Sequence, residues 1–115
     1  MKQLSSKGKL AYLAGFLDGE GHFYLPFTKN GRGESYYQFR IVAAQSTKTV
    51  LEWIKLNFGG CVTKLYDKRG EEPKESYHWV FCGKKARELA LELKPYLIVK
   101  REQLENVLSK ESNVG

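Results

Sequence analysis

Two acids, Asp18 and Glu20, close a helical stretch and are flanked by Gly19 and Gly21. Carboxylates gathered in one cleft, with glycine carbonyls free to point inward, make an oxygen-rich site suited to Mg²⁺. Like charges at that spacing repel unless a metal ion or a basic neighbour offsets them. Taken alone, the same pair also reads as solvated surface or as a helix cap. Zinc chemistry is not indicated: Cys61 and Cys82 lack a C-x-x-C spacing, and the chain holds only two histidines. Both cysteines read as small strand residues without a role.

The elements that must position the acids follow from the periodicity. From Leu4 to Gly19 the apolar residues Leu10, Leu13, Ala14 and Leu17 recur at helical spacing. Residues 22–28 then alternate, with Phe23, Leu25 and Phe27 expected inward and His22, Tyr24 and Thr28 outward. Past the turn at Asn30-Gly31-Arg32-Gly33, residues 34–43 alternate again: Phe39, Ile41 and Ala43 inward, Tyr36, Gln38 and Arg40 outward. Ser46 or Thr47 caps a helix through Val50, Leu51, Ile54 and Phe58, stopped by Gly59-Gly60. A second hairpin pairs residues 61–68 with 75–82, and two helices follow, one over 84–93 and one through Leu104, Val107 and Leu108. The expected fold class is α+β, in the order α-β-β-α-β-β-α. Its four-stranded antiparallel, saddle-like sheet carries helices on one face and leaves the other open, lined by polar and basic side chains.

The 115 residues suit a single domain, 1–115, with no linker or low-complexity tract. An apolar fraction of 42% suffices for a packed core, and the net charge of +6 favours a polyanionic partner. No apolar run approaches the roughly 20 residues of a spanning helix, and Met1-Lys2-Gln3-Leu4-Ser5 is not followed by a secretory h-region. The expectation is an intracellular protein without a membrane partner.

The first helix carries a second pattern. Gly8, Ala11, Gly15 and Gly19 form a stripe opposite Leu10, Leu13 and Leu17. Each helical glycine costs about 1 kcal/mol relative to alanine, and close helix–helix packing compensates for it. Either an internal helix or the same helix of a second subunit satisfies that pattern; the second option is a symmetric dimer through Ala11, Gly15 and Gly19, with Tyr12 and Asp18 beside them.

Leu13-Ala14-Gly15-Phe16-Leu17-Asp18-Gly19-Glu20-Gly21 resembles the nine-residue signature of the LAGLIDADG homing endonuclease family. Gly59-Gly60-Cys61-Val62 is similar to that family's entry to its third strand. The segment from Lys94 to Gln103 is similar to its lead into the last helix, and the likeness runs over about residues 6–109. The resemblance implies a single-motif homodimer that cuts both strands of a long, near-palindromic DNA duplex with Mg²⁺ or Mn²⁺. It implies that Glu20 and the Gly19 carbonyl bind metal, that Asp18 holds the helix ends or the local turn, that Gln45 orders the attacking water, and that Lys100 stabilises phosphoryl charge. By themselves, Gln45 and Lys100 read as a helix-capping amide and a solvated lysine.

The resemblance also makes the open sheet face the DNA reader, since antiparallel strands fit the major groove. Gln38 and Arg40 are the expected base readers, with Tyr24, Thr28, Asn30 and Tyr36 as adaptable ones. Lys29, Arg32, Lys68 and Arg69 are placed at phosphates, and His22 and His78 are DNA contacts or plain surface. The third strand is ambiguous: Val62 inward sends Thr63 and Leu65 to DNA, whereas Lys64 and Tyr66 suit DNA better chemically, and a bulge would reconcile them. Pro26 marks an edge or a kink. Rival functions are an intron RNA maturase, a non-catalytic DNA-binding regulator on the same fold, and an unrelated basic RNA-binding module. The intact Glu20 favours cleavage, because a carboxylate in a DNA cleft does nothing for a pure binder.

Overall fold

Ser5 starts the first helix, its Oγ accepting the Gly8 N–H at 3.0 Å. That bond satisfies one of the amides the first turn leaves without a partner. In the computed structural model, which describes residues 4–67 and 74–114, this helix is α1 (Ser6–Glu20). It is followed by β1 (Gly21–Tyr24), β2 (Phe27–Lys29), β3 (Ser35–Tyr37), β4 (Arg40–Gln45), α2 (Lys48–Phe58), β5 (Cys61–Asp67), β6 (Lys74–Cys82), α3 (Lys84–Leu93), a 3₁₀ turn (Lys94–Tyr96) and α4 (Arg101–Val114). Thr47 occupies the N-cap position of α2 but makes no side-chain capping bond.

The main sheet is antiparallel with strand order β1-β4-β6-β5. One face is dry. Leu13 and Leu17 of α1, Leu51 and Ile54 of α2, Ala86, Ala90 and Leu93 of α3, and Leu104 of α4 pack with Phe23, Ile41 and Trp79 from the strands, all essentially inaccessible to solvent. Burial of each large side chain contributes about 1.5–3 kcal/mol. Trp79 also satisfies its indole, donating Nε1–H to the Gly59 carbonyl at 2.8 Å. Gly59 and Gly60 hold φ of 100° and 94°, which lets the chain turn tightly under that ring. Among the described residues no helix is long and apolar enough to cross a membrane.

Two strand expectations need correction. Residues 22–28 and 34–43 do not form one continuous hairpin. β1 and β4 pair as far as Tyr24 with Arg40, and β2 and β3 form a separate two-stranded ribbon from Phe27–Tyr37 to Lys29–Ser35. The break falls at Leu25-Pro26, where proline has no N–H for a ladder; its carbonyl still accepts the Gln38 N–H at 3.1 Å. Beyond the break Phe27 faces solvent rather than the core. It is 62% exposed and packs on Tyr37, ring centroids 5.0 Å apart. The second correction concerns β5. Its pairing with β6 runs without interruption from Cys61–Val80 to Asp67–Lys74, so there is no bulge. Thr63 pairs with His78 and Lys64 with Tyr77. Period-two alternation therefore puts Thr63 and Leu65 on the open face and Lys64 on the helix side, while the Tyr66 side chain lies outside the described residues.

β1 is an edge strand, and α4 covers it. Gln103 Oε1 accepts the Phe23 N–H at 2.8 Å, and Gln103 Nε2 lies 3.2 Å from His22 Nδ1. A side-chain amide thus gives the Phe23 N–H the acceptor that a further strand would have offered.

Candidate active site and DNA-facing surface

The two acids at the end of α1 have different environments. Asp18 turns back into the protein: Oδ2 accepts the Ile98 N–H at 2.9 Å, and Oδ1 accepts those of Val99 at 3.0 Å and Lys100 at 2.9 Å. These amides lead into α4, so Asp18 ties the end of one helix to the start of another. Glu20 is exposed and has no hydrogen bond or ion pair among the described residues. The carbonyl of Gly19 is also released. The amide four residues on, that of Phe23, donates to Gln103 instead, and the helix closes with Gly21 N–H on the Leu17 carbonyl. A free carboxylate and a free carbonyl at a helix C-terminus, where the dipole is negative, are the kind of oxygen donors that could hold a hard cation.

The described residues supply only part of such a site. Among the described residues there is no group of three or more His, Cys, Asp or Glu side chains placed to hold a metal. The oxygen donors present fit Mg²⁺ or Mn²⁺ in kind, and Glu20 and the Gly19 carbonyl are the residues that would hold it. The stripe of α1 beside them is uncovered. Ala11, Gly15 and Gly19 are exposed, and a Cβ added at Gly15 or Gly19 would meet nothing within 4 Å. Among the described residues no internal helix packs against Gly15 or Gly19. Tyr12, 51% exposed, sits edge-on to Trp53 at 5.0 Å and borders an apolar groove shared with Leu4, Phe16, Val50 and Leu56.

Lys100 lies in the same corner. Its N–H is bonded to Asp18, its carbonyl accepts the Leu104 N–H at 3.0 Å, and its half-buried side chain has no ion pair among the described residues. Gln45 ends β4, two residues beyond Ala43, the partner of Gly21. Its Oε1 accepts from Ser46 N and Ser46 Oγ at 2.8 and 3.2 Å, which leaves Nε2 as an available donor. The fold thus brings Glu20, Gly19 and Lys100 to one corner, with Gln45 at the adjacent strand end.

On the open face the register aligns His22, Val42, Val80 and Cys61 in one row, Tyr24, Arg40 and Cys82 in the next, and Ala44, His78 and Thr63 in a third. The ribbon adds Thr28 and Tyr36 as a pair, with Lys29 and Arg32 exposed beyond them. Asn30 organises the ribbon's turn: its Oδ1 accepts the N–H groups of Arg32 and Glu34 at 2.8 and 3.0 Å. Lys68 and Arg69 lie outside the described residues. Sequence reasoning missed Gln103. The available signal was its place on α4 four residues before the buried Val107, which aims an amide at the core's margin.

Comparison with known proteins matches residues 13–101 to the LAGLIDADG endonuclease family. The chain belongs to that family. Among solved structures it is similar to the homing endonuclease I-CvuI in complex with its target in the presence of Ca, with TM-score 0.69 and 27% identity over 92% of this chain and 67% of that one. It is similar in fold to an archaeal intron-encoded homing endonuclease, I-Vdi141I, complexed with DNA, with TM-score 0.64 and 22% identity over 87% and 64% of the two chains. The chain therefore spans about two-thirds of the length of these relatives. No curated protein matches it.

Proposed function

We propose that the protein is a homodimeric, sequence-specific endonuclease that hydrolyses phosphodiester bonds in both strands of a long, near-palindromic duplex. The observation that carries this reading is Glu20: an exposed carboxylate without a partner among the described residues, beside the released Gly19 carbonyl. It ends a helix whose small-residue stripe is open at Gly15 and Gly19. A second copy of α1 laid on that stripe brings two such half-sites together, one for each strand. The basic charge of +6 and the open sheet face give the assembly a surface for the duplex.

Bound Mg²⁺ or Mn²⁺ supplies charge neutralisation at the phosphate and a more acidic water. The chain's own residues do the positioning. Glu20 and the Gly19 carbonyl hold the ion. Gln45, with its oxygen fixed by Ser46, offers Nε2–H to orient the attacking water. Lys100, anchored through its backbone to Asp18, presents an ammonium to the charge developing on the phosphoryl oxygens. His22, Tyr24, Thr63 and His78 face the bases or the backbone, and Lys29 and Arg32 reach phosphates at the ribbon's end.

The test is a nicking assay on duplexes that wild-type protein selects from a randomised pool. Mg²⁺-dependent cutting is expected, and Glu20→Gln should reduce it by about a hundredfold or more while Ca²⁺-supported binding persists. Tight duplex binding without cutting would favour a regulator, and preference for structured intron RNA would favour a maturase. A Glu20→Gln protein that cuts like wild type would remove the metal assignment.

A further inference from the structure

Arg40 and Gln38 look in the sequence like two independent base readers, but their side chains are coupled. Arg40 Nε–H donates to Gln38 Oε1 at 3.2 Å, and Arg40 Nη2 reaches Thr28 Oγ1 at 3.5 Å. Arg40 begins β4 and Thr28 lies in β2, so the contact bridges the break between sheet and ribbon. All three residues are half-buried, and Arg40 has no carboxylate partner among the described residues. A guanidinium carries five N–H donors. Gln38 and Thr28 take two of them, leaving two on Nη1 and one on Nη2. Those form the end-on edge of a cation held at two points, on the open face between Tyr24 and Cys82.

In the major groove, a paired-donor edge matches guanine, whose O6 and N7 are adjacent acceptors. Adenine would need an acceptor as well as a donor, and the acceptor nearby, Gln38 Oε1, is engaged by Arg40. We propose that Thr28, Gln38 and Arg40 act as one unit that reads a single guanine in each half-site. Arg40 makes the base contact, and Gln38 and Thr28 are positioning residues. The proposal rests on the duplex-DNA reading above and extends it to a base identity.

The test is selection from a randomised duplex pool with Ca²⁺ present, followed by sequencing, with thermal unfolding of each variant measured alongside. Wild type should enrich guanine at one base pair per half-site. Arg40→Lys, which keeps charge and bulk, should reduce discrimination at that pair about tenfold or more, as should Arg40→Ala. Gln38→Ala and Thr28→Val should weaken preference at the same pair, and Arg40→Ala combined with Gln38→Ala should do no more than Arg40→Ala alone. If Gln38→Ala altered a different base pair from Arg40→Ala, the two would be independent readers and the unit would be refuted. Equal weakening of every sequence by Arg40→Lys would assign Arg40 to phosphate, with the same consequence. A specific site lacking guanine at the Arg40-dependent pair would overturn the unit and leave the DNA reading standing. A wild-type protein that enriches no duplex would overturn both.

Discussion

Asp18 and Lys100, 82 residues apart in the chain, are joined by a 2.9 Å hydrogen bond from the Lys100 N–H to Asp18 Oδ1. With the companion bonds to Ile98 and Val99, it makes the first motif acid a clasp rather than a ligand. Lys100 thereby comes to the end of α1, where Glu20 stands free.

Loss of that clasp should register in stability. Asp18→Asn replaces one acceptor oxygen with an NH₂ group that faces N–H donors and removes the charge from all three bonds. The cost should be about 2 kcal/mol or more. Urea unfolding measures it. A change below about 0.5 kcal/mol, the ordinary range for a surface substitution, would mean that Asp18 does not hold α4.

Open space around Gly15 distinguishes subunit contact from folding. A Cβ added there meets nothing within 4 Å among the described residues, but a leucine would stand between two backbones in a dimer. Gly15→Leu should therefore keep its circular dichroism spectrum and sediment as a monomer. A dimer of unchanged affinity would place the interface elsewhere.

Gly60 is the opposite case. At φ 94°, a Cβ would come within 2.5 Å of Trp79 Nε1 and 2.9 Å of the Val80 carbonyl. Gly60→Ala should cost about 2–4 kcal/mol and disturb the indole bond to Gly59, visible in the emission of Trp79. Unchanged stability would contradict the tight turn under that ring.

Gln45→Ala and Lys100→Met should lower the cleavage rate by about one to three orders of magnitude while Ca²⁺-supported duplex affinity changes little. Comparing single-turnover rates with affinities separates the two effects. A loss confined to binding would move both residues from the reaction to the contact surface.

Much of this arrangement is legible in the sequence because the signals are local. Leu13, Leu17, Leu51, Ile54, Leu89 and Leu93 recur at helical spacing, and Tyr77, Trp79 and Phe81 alternate as strand residues do. The family pattern implies that Asp18 holds the helix ends or the local turn, and the three amides it accepts from come only with the geometry. What local pattern leaves open depends on register and on distant partners. Phe27 continues the alternation of β1 but follows Pro26, and the chain re-pairs in a separate ribbon that has no core to face. The choice between Thr63 and Lys64 was undecidable by composition and is settled by pairing with β6. Gln103 acts across 80 residues, on an edge amide whose need for a partner is invisible until β1 is known to be an edge.

The gap at Leu25-Pro26 also bears on how such a protein changes over generations. The β2–β3 ribbon closes its own backbone bonds and contributes almost nothing to the packed interior, so replacing its outward side chains disturbs little that the rest of the fold depends on. On the proposed reading, preference for one target over another drifts along the ribbon while the helix-covered sheet stays as it is. A lineage with that proposed role for the ribbon is free to follow a changing DNA sequence without first acquiring surplus stability.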